Sequence, residues 1–116
     1  MSETTTRTTF REMLTGDRFH YGVELVSSRG MPRAGGIDSK LLQEAEALAR
    51  NPCFGWVSIT DNPGGNPMLP ADWLARRIYE LGKEVVIHLS CKDLNRNGLE
   101  SAAWRSASEG FHNILA

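Results

Sequence analysis

The chain alternates between short runs of apolar residues and longer segments in which apolar residues return every three or four positions. The runs "YGVELV", "GWVSIT" and "EVVIHLSC" carry the β-branched and apolar residues of strands, and "HNILA" opens a fourth run. Between them, "SKLLQEAEALAR", "PADWLARRIYEL" and "GLESAAWRSASE" have the periodicity of helices. The pattern therefore predicts four strands separated by three helices, with strands that start near residues 22, 56, 85 and 112.

The ends of the three helices carry residues that start or stop a helix. We expect Asp38 to cap the first helix, Pro70 to lie in the first turn of the second, and Asn97 to cap the third. Gly82 and Gly110 follow the last two helices, where glycine is the preferred terminator.

The first eighteen residues precede this repeating pattern. Residues 1–7 are predicted to be a frayed tail, and "TTFREML" predicts one short helix that is capped by Thr8 or Thr9 and stopped by "TGD". We therefore divide the chain into residues 1–18, a tail with a short helix, and residues 19–116, which hold the strands and longer helices.

The regular alternation of strands and helices indicates the α/β class, with a parallel sheet and right-handed crossovers. Successive strands start 34, 29 and 27 residues apart. These spacings are close to the ~31 residues per unit of a (β/α)8 barrel. We predict a partial (β/α)8 TIM barrel with about four parallel strands and three helices, a fragment of a larger barrel. A small doubly wound domain is the competing fold.

The polar residues of the predicted strands fall on one face of the sheet, because side chains alternate along a strand. The opposite face is apolar, as packing against covering helices requires. In a barrel the polar face points into the lumen, and residues near the carboxyl ends of the strands meet where active sites form. The polar residues of this face are Glu24, Ser58, Thr60, His88 and Ser90.

Some of these features have a structural as well as a functional interpretation. A single histidine on a strand, such as His88, is commonly a hydrogen-bonded core residue. Glu24 favours function, since a carboxylate inside "YGVELV" is costly to bury unless it is paired or used. The loop "DNPGGNP" either cradles a phosphate with its backbone amides or is a turn shaped by glycine and proline.

Composition narrows the classes of function. The 116 residues include 13 Lys and Arg and 14 Asp and Glu, and because the basic residues are scattered, nucleic-acid binding is not expected. No apolar stretch approaches the ~20 residues of a membrane span, and no hydrophobic signal segment opens the chain. Cys53 and Cys91 have neither disulfide nor zinc spacing, so we expect a cytoplasmic chain without a bound metal.

Four segments together resemble a known family. "YGVELVSS", "FGWVSITDNPGGNP", "VVIHLSCKDLNRNG" and "EGFHNILA" are similar to the first four strands of methylenetetrahydrofolate reductases. The resemblance covers residues ~19 to 116. It implies a (β/α)8 barrel that binds FAD, accepts electrons from NADH or NADPH, and reduces methylenetetrahydrofolate to methyltetrahydrofolate.

The resemblance also implies roles for four residues. Glu24 matches the acidic residue proposed in the family to donate a proton to the folate, and would be the catalytic residue. Thr60, Asp61 and His88 match positions beside the flavin and are expected to bind FAD. Because only half of the barrel is matched, we expect the site to continue beyond Ala116 and the chain alone to be inactive.

The expected partners are the folate substrate and either further copies of the chain in a homo-oligomer or a different subunit. Two other interpretations remain open at this point. One is a flavin-free (β/α)8 lyase or methyltransferase that uses Glu24 and His88 as an acid–base pair. The other is a non-catalytic half-barrel that pairs with another chain.

Overall fold

A computed structural model describes residues 7–29 and 40–116 of the chain. Four helices and four strands follow one another in the order expected from the sequence, with two short 3₁₀ turns at Pro63–Gly65 and Cys91–Asp93. The helices are α1 (Phe10–Thr15), α2 (Lys40–Arg50), α3 (Ala71–Glu80) and α4 (Arg96–Ser108). The strands are β1 (Tyr21–Leu25), β2 (Phe54–Ile59), β3 (Glu84–His88) and β4 (Ile114–Leu115).

The four strands form one parallel sheet in the order β1-β2-β3-β4. The register pairs Glu24 of β1 with Ser58 of β2, and Ser58 with Val86 of β3. At the end of β3, His88 pairs with Leu115. The prediction of an α/β fold with four parallel strands is thus confirmed.

One face of the sheet carries the hydrophobic core, as the alternation along the strands predicts. The strand residues on this face are almost fully buried, and they pack against small and branched residues of α2 and α3. Burying one such side chain is worth roughly 1.5–3 kcal/mol, so this layer supplies much of the stability of the fold. The strand residues are Leu25, Val57, Ile59, Val85 and Ile87; the helix residues are Ala45, Ala49, Leu74, Ala75 and Ile78.

The ends of the helices agree with the sequence in part. Gly82 and Gly110 have φ values of 94° and 87°, which explains why glycine follows α3 and α4. Pro70 is the residue that precedes α3 and does not lie inside its first turn. The prediction that Asn97 caps α4 is wrong, because Asn95 precedes the helix and its side chain accepts a hydrogen bond from the amide of Gly98. Asp38, the predicted cap of α2, lies outside the described residues.

The short helix α1 packs at the amino-terminal end of the sheet. Thr9 caps it by accepting a hydrogen bond from the amide of Glu12, as one of the two predicted caps. The Phe10 ring meets the Trp56 indole edge-on, with ring centroids 4.9 Å apart. The indole in turn covers Gly22, where a Cβ atom would lie only 2.1 Å from it. Glycine is therefore required at position 22 by the close approach of this large ring.

Arg7 is held against the folded domain, so the prediction that the tail extends through residue 7 is wrong at that position. Its guanidinium lies 3.8 Å from the centroid of the Tyr79 ring and donates a 2.7 Å hydrogen bond to the Tyr79 carbonyl. Stacking of an arginine on an aromatic ring is favourable by about 0.5–2 kcal/mol. Tyr79 also packs edge-on against Phe111, which is buried in the core.

Two of the three tryptophans are exposed. Trp73 is 42% exposed and Trp104 is 71% exposed, on the outer faces of α3 and α4. Only Trp56 packs closely, through the contacts with Phe10 and Gly22. Within the described ranges, no helix combines the length and the apolar character needed to cross a membrane.

Candidate functional site

Ser58 and His88 form a hydrogen-bonded pair on the face of the sheet opposite the core. The Ser58 hydroxyl Oγ and the His88 ring nitrogen Nε2 share the hydrogen bond across β2 and β3. Both residues are half-buried. Among the residues that the structure describes, no group bonds to the other ring nitrogen, Nδ1. The histidine is therefore anchored at one nitrogen and free to bind a ligand at the other.

Glu24 lies on the same face, directly beside Ser58 in the register of β1 and β2. Its side chain is exposed, and within residues 7–29 and 40–116 it forms no ion pair. The expectation of a carboxylate that is costly to bury is therefore not met in this chain. Glu24 is accessible to a ligand on this face, and its position beside the Ser58–His88 pair is the one that the alternation of side chains predicts.

Thr60, which directly follows β2, carries a buried hydroxyl without a partner. The residue is 8% exposed, and its Oγ1 atom contacts no hydrogen-bonding group in the described part of the chain. The Thr60 amide donates to the carbonyl of Leu25 at 3.1 Å, which fixes the backbone beside the end of β1. Buried hydroxyl groups nearly always have a partner, so this one is suited to a polar atom of a ligand.

Asp61 joins the end of β2 to the end of β3 through two hydrogen bonds. The Ser90 amide donates to Oδ2 of Asp61 at 2.7 Å, and the Ser90 hydroxyl donates to the Asp61 carbonyl at 2.7 Å. We call this pair of bonds the Asp61–Ser90 clasp. One carboxylate oxygen thus holds the two strand ends together, and Oδ1 has no hydrogen-bond partner among the described residues.

A cavity of about 410 Å³ lies at the carboxyl ends of β2, β3 and β4. Its lining includes Thr60, Asp61 and His88, the three residues for which the family resemblance implies cofactor binding. Glu24 is on the same face of the sheet but does not line this cavity. The structure therefore brings three of the four predicted site residues into one cavity and places the fourth on the sheet next to it.

Two residues of this cavity were not singled out for ligand binding by the sequence. Ser90 was recognised only as a member of the polar face, and Lys92 follows the third strand in a segment predicted to be a loop. The Lys92 ammonium lies 3.2 Å from Asp93 and is also close to the turn at Gly65. Both residues lie shortly after the third strand, where cavities of parallel sheets form, and this position in the sequence is the signal that points to them.

The loop "DNPGGNP" uses two of its own amides for hydrogen bonds within the loop. The amides of Gly65 and Asn66 donate to the carbonyls of Asn62 and Pro63, and the amide of Met68 donates to the Asn62 side chain. Gly64 and Gly65 both have positive φ, which the turn requires. These internal bonds favour the interpretation of the loop as a turn shaped by glycine and proline.

Lys83 lies at the other end of the sheet, where β3 begins. Its ammonium donates to the carbonyls of Asn51, at 2.8 Å, and of Phe54. Burial lowers the pKa of Lys83, and the nearby Cys53 acts in the opposite direction. The residue ties α2 and β2 to the start of β3 and is remote from the cavity at the carboxyl ends.

Among the described residues, no three metal-ligating side chains come together. A polar cofactor edge fits better, because Thr60 and His88 both line the cavity and the Thr60 hydroxyl has no partner in the described part of the chain. At about 410 Å³ the cavity is at the small end of the range for cofactor sites, so it would hold one part of a molecule as large as FAD.

Comparisons of the chain with protein-family models, with curated proteins and with solved structures found no match.

Proposed function

We propose that the chain is the first half of a (β/α)8 flavoenzyme that reduces methylenetetrahydrofolate to methyltetrahydrofolate. The observation that carries the proposal is the single cavity that Thr60, Asp61 and His88 line at the carboxyl ends of the strands, with Glu24 on the same face of the sheet. These are the residues that the resemblance of the strand motifs to methylenetetrahydrofolate reductases assigns to the flavin and the folate.

The barrel form of the proposal is supported by the order of the strands. The strands lie in sequence order, and both α2 and α3 pack on the same face. A doubly wound sheet instead reverses its strand order and carries helices on both faces. Four units of this kind correspond to half of an eight-stranded barrel, in which the polar face with Glu24 and His88 would line the lumen.

In the proposed site, Thr60, His88 and Asp61 have separate tasks. The Thr60 hydroxyl bonds a polar edge of the flavin, and the His88 ring holds the cofactor through its free nitrogen. Asp61 keeps the ends of β2 and β3 at a fixed separation through its clasp with Ser90. When bound, FAD supplies hydride chemistry, taking electrons from NADH or NADPH.

Glu24 provides the proton that the reduction consumes. Its carboxyl group donates a proton to the folate nitrogen whose bond to the one-carbon unit breaks. The nitrogen thus leaves without a negative charge, and the carbon accepts the hydride. General acid catalysis of this kind contributes roughly 10²–10⁴-fold to rate. The exposure of Glu24 on the polar face supports this task, because a proton donor must reach both substrate and solvent.

The partner proposed for this chain is either a second copy or another subunit that completes the barrel. Within the described residues, β1 and β4 each pair on one side only. Both edges also expose apolar side chains, since Tyr21 is 63% exposed and Leu115 is 56% exposed. Unpaired edges of this kind invite pairing with further strands. The same edges would be covered if the barrel continues in the same chain.

A second candidate function is supported by the Ser58–His88 pair. A histidine hydrogen-bonded to a hydroxyl, with a glutamate beside that hydroxyl on the next strand, is an acid–base arrangement that needs no flavin. A flavin-free (β/α)8 lyase or methyltransferase would use Glu24 and His88 in this way.

The flavin content of the full-length protein that contains this chain separates the two candidates. We expect the purified protein to show flavin absorbance, to be bleached by NADH or NADPH without oxygen, and to regain its colour when methylenetetrahydrofolate is added. His88→Gln should lower the FAD occupancy, whereas His112→Gln, at an exposed position outside this cavity, should not. A folded protein that neither contains nor binds FAD would contradict the proposal and favour the flavin-free enzyme.

A further inference from the structure

The hydrogen bond between Ser58 and His88 orients the histidine ring. A neutral imidazole has one donor and one acceptor nitrogen, and a serine hydroxyl can pair with either of them because it both donates and accepts. The bond therefore holds the ring in place without selecting its tautomer. Ser58 occupies Nε2, and no group in the described part of the chain occupies Nδ1. The ring is thus held by a single side chain on the neighbouring strand.

The surroundings of Ser58 explain why its hydroxyl turns to the histidine. In the register of the sheet, Ser58 lies between Glu24 on β1 and Val86 on β3. Val86 is buried and offers no polar atom from its side chain, and Glu24 forms no hydrogen bond with Ser58. His88, one pleat further along β3, is the hydrogen-bonding side chain that Ser58 contacts.

We propose that Ser58 is a positioning residue: its hydroxyl holds Nε2 of His88 so that Nδ1 is presented to the ligand in the cavity at the carboxyl ends of the strands. The identity of that ligand as FAD rests on the proposed function, whereas the control of the ring by Ser58 does not. Ser58 would act through the histidine and would not itself contact the ligand.

Two substitutions at position 58 separate the effect of the hydroxyl group from the effect of side-chain packing. Ser58→Thr keeps the hydroxyl, and Ser58→Val replaces it by a methyl group in a side chain of nearly the same shape as threonine. Both added methyl groups suit a strand, so a difference between the two variants reports the hydrogen bond and not the packing.

The first measurement reads the ring nitrogens of histidine by ¹⁵N NMR, at a pH where a free imidazole is neutral. The chain has three histidines, and His88→Gln assigns the His88 signals, while His20 and His112 serve as internal references. We expect the Nε2 signal of His88 to have the same chemical shift in the native chain and in Ser58→Thr, and to move in Ser58→Val, where this nitrogen has lost its partner. Equal Nε2 shifts in the Thr and Val variants would overturn the proposal. Ser58→Ala provides the same comparison if the valine variant does not fold.

The second measurement is the dissociation constant of FAD in the full-length protein. Losing one oriented hydrogen bond should weaken binding roughly three- to tenfold in Ser58→Val, with recovery in Ser58→Thr. His88→Gln should add little to the loss in the Ser58→Val background, because the two residues act as a unit. Fully additive losses would refute the positioning role. If the native protein binds no FAD, the proposed function fails, and the ¹⁵N measurement alone decides the role of Ser58.

Discussion

The unpartnered hydroxyl of Thr60 leads to a prediction in which stability and ligand binding change in opposite directions. Thr60 is 8% exposed, and its Oγ1 is buried without a partner among the described residues. A buried polar group that lacks a hydrogen bond costs about 1–3 kcal/mol. Thr60→Val replaces that hydroxyl by a methyl group of the same shape, and burial of the added apolar surface is itself favourable. We therefore expect the free energy of unfolding to rise by about 1–2 kcal/mol in the ligand-free protein.

The assay is urea-induced unfolding monitored by circular dichroism. The variants are compared with the native protein when the slope of the free energy of unfolding against urea concentration is unchanged. Thr60→Ser is the matched control, because it keeps the hydroxyl and removes the buried methyl group. It should lose about 1 kcal/mol of stability. The two variants thus move in opposite directions only if the hydroxyl is the unfavourable group and the methyl the favourable one.

The second arm of this prediction is ligand affinity. If the hydroxyl bonds the cofactor, Thr60→Val should weaken FAD binding by roughly three- to tenfold in the full-length protein, and Thr60→Ser should weaken it less. A valine variant that is less stable than the native protein would show that the hydroxyl already has a partner in the folded chain. Thr60 would then have no unpaired hydroxyl to offer a ligand.

Three further predictions concern other parts of the fold. Glu24→Gln in the full-length protein should retain FAD while folate reduction falls by about two decades or more, and unchanged turnover would remove Glu24 from the mechanism. Asp61→Ala should lower the free energy of unfolding by about 1–3 kcal/mol and Asp61→Asn by less, measured in urea, because the alanine leaves the Ser90 amide without its acceptor. Burial lowers the pKa of Lys83 in the folded chain. Between this lowered pKa and the ordinary value of 10.5, the unfolded chain binds more protons than the folded chain, so the free energy of unfolding should rise with pH in this range. Lys83→Met should reduce this rise in urea titrations at increasing pH, and an identical pH dependence would contradict the assignment.

The sequence predicted the layers of the fold well, because burial imposes a period of two on strands and of about 3.6 on helices. Val57, Ile59 and Val85 are buried on the face that their alternation indicates. The boundaries were less certain, since they depend on single capping side chains. Asn95 and Asn97 are both capable caps, and which one is used depends on where the chain turns after the 3₁₀ segment Cys91–Asp93.

The pairings within the site could not be obtained from the alternation of side chains alone. That alternation places Ser58 and His88 on one face, but their hydrogen bond depends on the register of β2 against β3, which the sequence does not specify. The clasp between Asp61 and Ser90 has the same origin, since it joins residues 29 positions apart. The exposure of Glu24 depends on what covers the polar face, and that too is decided by packing beyond the single strand.

The clasp between Asp61 and Ser90 has a consequence for engineering. Because it joins the second residue after β2 to the second residue after β3, the loops that follow these two strands begin from backbone segments that are bonded to each other. A loop grafted from another protein at either position would begin from a backbone held by its neighbour. Loop exchange on this scaffold should therefore be designed in pairs, with both loops replaced together or with Asp61 and Ser90 kept as fixed anchors.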